Sequence, residues 1–132
     1  MFLGSQDAAT NEKGIAENDV KFILNVATGI NYEKYPQITY KNVEIMDLPE
    51  VPIQDHFQEI FSFIDEALKT GGVLVHCNAG VSRSATIVIG YIMYSLKIEY
   101  TKAFQMVKTA KPDINPNEGF VRQLKNYQTT LL

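Results

Sequence analysis

Cys77, the only cysteine of this chain, and Arg83, six positions later, lie in the run His76-Cys77-Asn78-Ala79-Gly80-Val81-Ser82-Arg83-Ser84. Together they suit attack on a phosphoryl group. A thiolate is the reactive form of cysteine. A guanidinium fork grips two phosphoryl oxygens at once, which suits the three equatorial oxygens of a phosphoryl group in flight better than the point charge of a lysine. The β-formers Val73-Leu74-Val75 precede the run, and an apolar segment over residues 85–96 follows it. This order predicts a buried strand, a tight loop turned at Gly80 and a helix, with the thiol between strand end and helix N-terminus. Free backbone N–H groups and the positive end of the helix dipole favour a bound phosphate there, and a cation beside a helix N-terminus favours a thiolate. The expected phosphate cradle is Asn78, Ala79, Gly80, Val81, Ser82 and Arg83.

Ser84 has two readings. Its hydroxyl donates to the Cys77 sulfur and stabilises it as a leaving group, or it caps the following helix. His76 likewise orients the loop through a ring hydrogen bond or is a satisfied core residue.

The pattern His76-Cys77-x-x-Gly80-x-x-Arg83-Ser84 matches the loop of the cysteine-dependent phosphatases. Further segments narrow the likeness: Phe2-Leu3-Gly4-Ser5-Gln6-Asp7-Ala8-Ala9, Ile23-Leu24-Asn25-Val26, Ile45-Met46-Asp47-Leu48-Pro49 and Pro116-Asn117-x-Gly119-Phe120. Over nearly its whole length the chain resembles the atypical dual-specificity protein phosphatases. The resemblance implies hydrolysis of phosphotyrosine and phosphoserine or phosphothreonine in proteins through a phosphocysteine on Cys77, without a metal or other cofactor. It implies a phosphorylated protein as partner, with members of stress-activated kinase pathways as candidates, and a cytoplasmic location that extends to the nucleus.

Such a reaction needs an acid to protonate the departing alkoxide or phenoxide. Asp47 follows the β-like run over residues 38–45 and precedes Leu48-Pro49, which places it in a short loop at a strand end, where ligand sites of α/β sheets gather. In the resembled family the general acid stands at this position, thirty residues before the cysteine. Glu50 and Asp55 are the rivals. Asp55 lies close to a helix start, where the helix dipole alone explains an acidic residue, and Glu50 reads as a solvated loop charge. The resemblance further implies that Asn117 braces the loops around the site. Against this, Asn115-Pro116-Asn117-Glu118 reads as an ordinary helix start, with Asn115 as cap, Pro116 in the first turn and Glu118 three residues after the cap.

Residues 78 to 82 carry no extra basic side chain of the kind found around the loop in phosphoinositide and RNA-end phosphatases of the wider superfamily. A single phosphorylated side chain is therefore the expected substrate. No phosphotyrosine-selecting insertion is evident, and a compact domain suggests a pocket shallow enough for phosphoserine and phosphothreonine. A phosphoprotein-binding scaffold with weak turnover is the alternative of a different class, and a phosphoinositide or an RNA 5′ end is the alternative substrate. Two histidines and one cysteine make a zinc cluster implausible, and Gly80-Val81-Ser82-Arg83 lacks the Gly-Lys-Ser/Thr of a nucleotide phosphate loop.

A chain of 132 residues with 45% hydrophobic content fits one globular domain over residues 1–132. No apolar stretch is long enough to span a membrane. The formal charge of −3 gives no global pull toward nucleic acid, and a lone cysteine forms no internal disulfide, which favours a reducing compartment.

The elements that must position these residues alternate between strand and helix. The expected fold is α/β, a central mostly parallel sheet flanked by helices, with the phosphate loop between a strand and a helix. The chain begins within what reads as the first strand, as a catalytic fragment of a longer protein would. Phe22-Ile23-Leu24-Asn25-Val26 reads as an interior strand. Ile53, Phe57, Ile60, Phe61, Ile64 and Leu68 recur at helical spacing until Gly71-Gly72. Ile87, Val88, Ile89, Tyr91, Ile92 and Met93 make the helix after the loop apolar nearly all round, hence central. Ala103, Phe104, Val107 and Ala110 mark another helix, ended near Pro112, and Phe120, Leu124, Tyr127 and Leu131 mark the last. Tyr32, Tyr35 and Tyr40 could flank a substrate, although tyrosines near loops are ordinary.

Overall fold

The structure is a computed structural model that describes residues 1–29, 33 and 35–132; Tyr32 lies outside the described residues. The chain runs β1 (Phe2–Gly4), α1 (Gln6–Ala9), α2 (Glu12–Glu17), β2 (Val20–Asn25) and β3 (Thr39–Asn42). A 3-10 turn over Ile53–His56 then leads into α3 (Phe57–Leu68), β4 (Gly72–His76), α4 (Arg83–Leu96), α5 (Tyr100–Ala110) and α6 (Glu118–Leu131).

The strands form one sheet in the order β1-β4-β2-β3, and every pairing among the described residues is parallel. A parallel sheet covered on both faces needs strands that are apolar on both sides. Val73-Leu74-Val75 meets that demand. Val73 and Val75 join Leu24 in a core shared with α3, α4, α5 and α6, whereas Leu74 joins Ile23 in a second core with Ala9 of α1, Ile15 of α2, Tyr35 and Ile38. The register aligns the strand ends: His76 pairs with Gly4 and Asn25, and Asn25 pairs with Asn42. The loops that leave β1, β2, β3 and β4 therefore emerge along one edge, where α/β sheets place their ligands.

Several expectations shift. The strand expected over residues 38–45 stops at Asn42, because β2 ends at Asn25 and the last ladder bond runs from the Val43 N–H to the Asn25 carbonyl, 2.9 Å. The chain beyond keeps its alternation, with Val43 and Ile45 buried and Glu44 exposed. Leu68 is 39% exposed; Ala67, at 1%, takes the inward place in the last turn of α3. Ala110 is exposed at the end of α5. The helix after the loop begins at Arg83, ahead of the apolar segment, and is buried from Arg83 through Tyr91. The short α1 and α2 carry too few apolar positions to show helical spacing.

Beneath α4 an aromatic cluster is closed by one carboxylate. Asp65 accepts from the Tyr91 and Tyr94 hydroxyls, each at 2.7 Å, and Phe61 packs against both rings. Burial, with Asp65 as hydrogen-bond partner, pushes the Tyr91 phenol up to about 12. No helix among the described residues is long and apolar enough to cross a membrane.

Candidate active site

β4 delivers Cys77 to the sheet edge, 2% exposed, and the chain turns back at Gly80 with φ of +77°. Two constraints require glycine there. Positive φ disfavours side chains, and a Cβ at this position would stand 2.7 Å from the carbonyl oxygen of Gly4. The end of β1 is thus the back wall of the loop, and the Gln6 N–H fastens it to the Asn78 carbonyl at 3.1 Å.

The Cys77 sulfur is held as an acceptor. The Gly80 N–H points to Sγ at 3.3 Å, and the fully buried Ser84 hydroxyl lies 3.2 Å from it. Ser84 is the second residue of α4, so it is not the helix cap. Ser82 occupies the cap position, and its hydroxyl makes no cap bond because it is engaged elsewhere.

Arg83 is 9% exposed. Its Nη1 donates to the Ile45 carbonyl at 3.0 Å and reaches Thr28 Oγ1 at 3.4 Å, while Nη2 donates to Asn78 Oδ1 at 3.0 Å. Its buried Nε has no hydrogen-bond partner among the described residues. A buried donor left unmade costs about 1–3 kcal/mol, more when it is charged. A phosphoryl oxygen over the loop would answer that donor.

Asp47 is exposed in the loop beyond β3 and faces the phosphate loop through one oxygen. Oδ1 accepts from Ser82 Oγ at 2.7 Å and from Asn117 Nδ2 at 2.9 Å, and the Asn117 N–H donates to the same Ser82 hydroxyl at 3.1 Å. Both bonds fall on Oδ1, so Oδ2 is the oxygen left to carry a proton. Glu50 is an exposed turn residue, and Asp55 is exposed in the 3-10 turn. Of these three carboxylates, Asp47 is the one that accepts a hydrogen bond from the phosphate loop.

The helix cap before α6 is Asn117, not Asn115: its Oδ1 accepts from the Phe120 N–H at 2.9 Å. The reason is a contact 70 residues away in sequence. Gly119 lies so close to Pro49 that a Cβ there would meet the Pro49 carbonyl oxygen at 1.9 Å, so the helix starts where that approach is possible. Asn115 instead donates its N–H to the Val81 carbonyl at 2.7 Å. Asn117 therefore uses Oδ1 for the helix and Nδ2 for Asp47, and the expected cap at Asn115 gives way to one at Asn117.

His76 is buried, with Nδ1 3.4 Å from the Cys77 carbonyl. Burial holds its pKa below the ordinary histidine value, opposed by the contact with that carbonyl. The neutral ring donates from Nδ1 to the loop backbone.

Sequence reasoning placed Ser82 in the phosphate cradle and missed that its hydroxyl joins Asp47 to Asn117. It also missed Thr28 and the Ile45 carbonyl as Arg83 partners. No spacing rule links residues 38 and 55 positions apart; the register of β3 on β2 and of β2 on β4 brings them to Arg83.

A family model described as the dual specificity phosphatase catalytic domain matches residues 1–130. Within that family the sequence motifs point toward dual specificity protein phosphatase 19, and the Mus musculus protein of that name is 50% identical over 129 residues. That match covers 97% of this chain and 59% of the mouse protein. A probable dual specificity protein phosphatase of Dictyostelium discoideum is 42% identical, over 100% of this chain and 63% of the relative. The chain thus spans about three fifths of the length of these relatives. Among solved structures, human DUSP28 superposes with a TM-score of 0.93 at 33% identity, covering 98% of this chain and 88% of that one. A tyrosine phosphatase-like serine/threonine/tyrosine-interacting protein, also human, gives 0.92 at 34%, over 97% and 90%. With the loop, the sheet and nearly every residue inside the match, the chain belongs to the dual specificity phosphatase catalytic domain family.

Proposed function

We propose that this chain hydrolyses phosphotyrosine and phosphoserine or phosphothreonine in proteins through a phosphocysteine on Cys77. The observation that supports this most is the Cys77 sulfur, held by the Gly80 N–H and beside the Ser84 hydroxyl, in the loop that carries the unpartnered Arg83 Nε.

The phosphoryl group sits over the backbone N–H groups of residues 78 to 83 and the start of α4, with Arg83 turned onto its oxygens. The Cys77 thiolate forms the sulfur–phosphorus bond as the phosphorus–oxygen bond to the substrate side chain breaks. Asp47 Oδ2 gives its proton to the departing oxygen. Water then attacks phosphorus, Asp47 takes a proton back, and the sulfur leaves as a thiolate that the Ser84 hydroxyl stabilises, releasing inorganic phosphate. No metal or cofactor enters. Phosphorylated proteins of a stress-activated kinase pathway, met in the cytoplasm and nucleus, are the partners we propose.

The test is initial phosphate release from matched phosphotyrosine and phosphothreonine peptides, a phosphoinositide and a 5′-triphosphate RNA, with Cys77→Ser as control. Cys77-dependent release from both peptides supports the proposal. Release confined to lipid or RNA overturns the substrate class, and release from none of the four favours a phosphoprotein-binding scaffold.

A further inference from the structure

Helix α6 carries two stripes. Phe120 and Leu124 are fully buried, with Tyr127 and Leu131 packed against the same core. Gly119, Gln123 and Asn126, spaced by four and three residues, form a neighbouring stripe on the same helix. The chain segment that carries Asp47 lies along this second stripe.

Gln123 makes the densest contact there. Its Nε2 donates to the Val51 carbonyl at 2.8 Å, and its Oε1 accepts from the Gln54 N–H at 2.9 Å. One carboxamide thus satisfies a backbone acceptor and a backbone donor three residues apart. On either side, Asn126 Nδ2 donates to Gln54 Oε1 at 3.1 Å, and Gly119 abuts Pro49. Between Asp47 and the buried Ile53, the backbone bonds within the segment are short-range, Val51 N–H to Leu48 and Ile53 N–H to Val51. Such local bonds hold a turn; the segment is fixed against the rest of the molecule by the bonds to Asp47 at one end and by Gln123 at the other.

We propose that Gln123 is a positioning residue for the acid: by pinning Val51 and Gln54 it sets the path of residues 47–54, and with it the reach of Asp47 to the leaving oxygen. This rests on the reading of Asp47 as the acid given above. A misplacement of about 1 Å costs up to ~10² in rate, so a loosened segment lowers acid catalysis without touching phosphate binding. The chemistry of the side chain matters as well as its size. Glutamate at this position would accept from Gln54 but could not donate to Val51, and leucine would do neither.

The experiment compares Gln123→Leu, Gln123→Glu, Asp47→Ala and the double variant Asp47→Ala/Gln123→Leu on a phosphothreonine peptide and on an aryl phosphate with a good leaving group. For Gln123→Leu we expect kcat to fall about 5- to 30-fold on the peptide and less than about 2-fold on the aryl phosphate, with KM unchanged and Gln123→Glu between it and the native protein. The double variant should be no slower than Asp47→Ala alone, as for residues acting through one group. Equal losses on both substrates, or losses that multiply in the double variant, would overturn the proposal while leaving Asp47 as the acid. If Asp47→Ala itself shows no leaving-group dependence, the acid reading falls and this proposal with it. Hydrogen exchange at the Gln54 amide gives a readout independent of activity: it should accelerate in Gln123→Leu while amides of α3 stay protected, and an unchanged rate would remove the clamp.

Discussion

Ser82 Oγ donates to Asp47 Oδ1 at 2.7 Å, so the phosphate loop and the loop that carries Asp47 are joined directly across 35 residues of sequence. The same hydroxyl accepts from the Asn117 N–H, which fixes which way its proton points. Both bonds to Asp47 fall on Oδ1, so the proton transfer proposed for Oδ2 would not require the loops to move apart.

Replacing Asp47 by alanine should cost about 10² to 10⁴ in kcat on phosphothreonine or phosphoserine peptides, the usual worth of positioned proton transfer. Aryl phosphates with good leaving groups should lose far less, because their oxygens depart with little protonation. Steady-state rates across a series of leaving groups check this, and a uniform loss would remove Asp47 as the acid.

In the proposed mechanism Ser84→Ala should act on the second step. The Ser84 hydroxyl is 3.2 Å from the sulfur that would leave as an anion there, and a hydrogen bond to a charged group is worth about 1.5–3 kcal/mol, roughly 10- to 100-fold in rate. Rapid-quench kinetics on an aryl phosphate should show a burst of leaving group equal to the enzyme present, followed by a slow linear phase. A variant that slows the burst itself would place Ser84 in the first step instead.

The depressed pKa of His76 gives a sign for stability. Below the ordinary value of 6.5 the unfolded chain binds a proton that the folded chain, with the ring buried, does not. Its contribution is complete above that value and is lost as pH falls from there toward the lower folded pKa. Urea unfolding should thus give a lower midpoint at pH 5.5 than at pH 7.5, and His76→Gln should show a smaller difference. A variant as pH-sensitive as the native protein would assign the dependence to other groups.

Gly119→Ala forces a Cβ into the Pro49 carbonyl, so either the start of α6 or the Asp47 segment must move. Overpacking of this kind costs about 1–3 kcal/mol. Equilibrium denaturation should register that loss, and activity on alkyl phosphates should fall more than on aryl phosphates, since the displaced chain carries Asp47, the proposed acid.

The parts of the site that were legible beforehand are contiguous. Cys77, Gly80, Arg83 and Ser84 sit within eight residues, between a run of β-formers and an apolar helix, so local chemistry and periodicity suffice. Asp47 was reached through its place after a β-like run and through family likeness. Asn117 shows the limit of local rules: Asn115-Pro116 is a good helix start by composition, yet the helix waits for Asn117 because Gly119 must meet Pro49, a contact 70 residues away in sequence. Leu68 departs from its expected inward place because positions three and four after Ile64 are both compatible with a buried face, and the end of α3 turns Ala67 inward instead. The Ser82 and Gln123 bonds depend on where loops come to rest after folding, which no periodicity encodes.

The bond from Asn117 to Asp47 spans 70 residues, and the wall behind Gly80 is built by Gly4. The two halves of the candidate site are thus held from opposite ends of the sequence: losing β1 would remove the wall behind the Cys77 loop, and losing α6 would remove the Asn117 bond to Asp47 while leaving that loop in place.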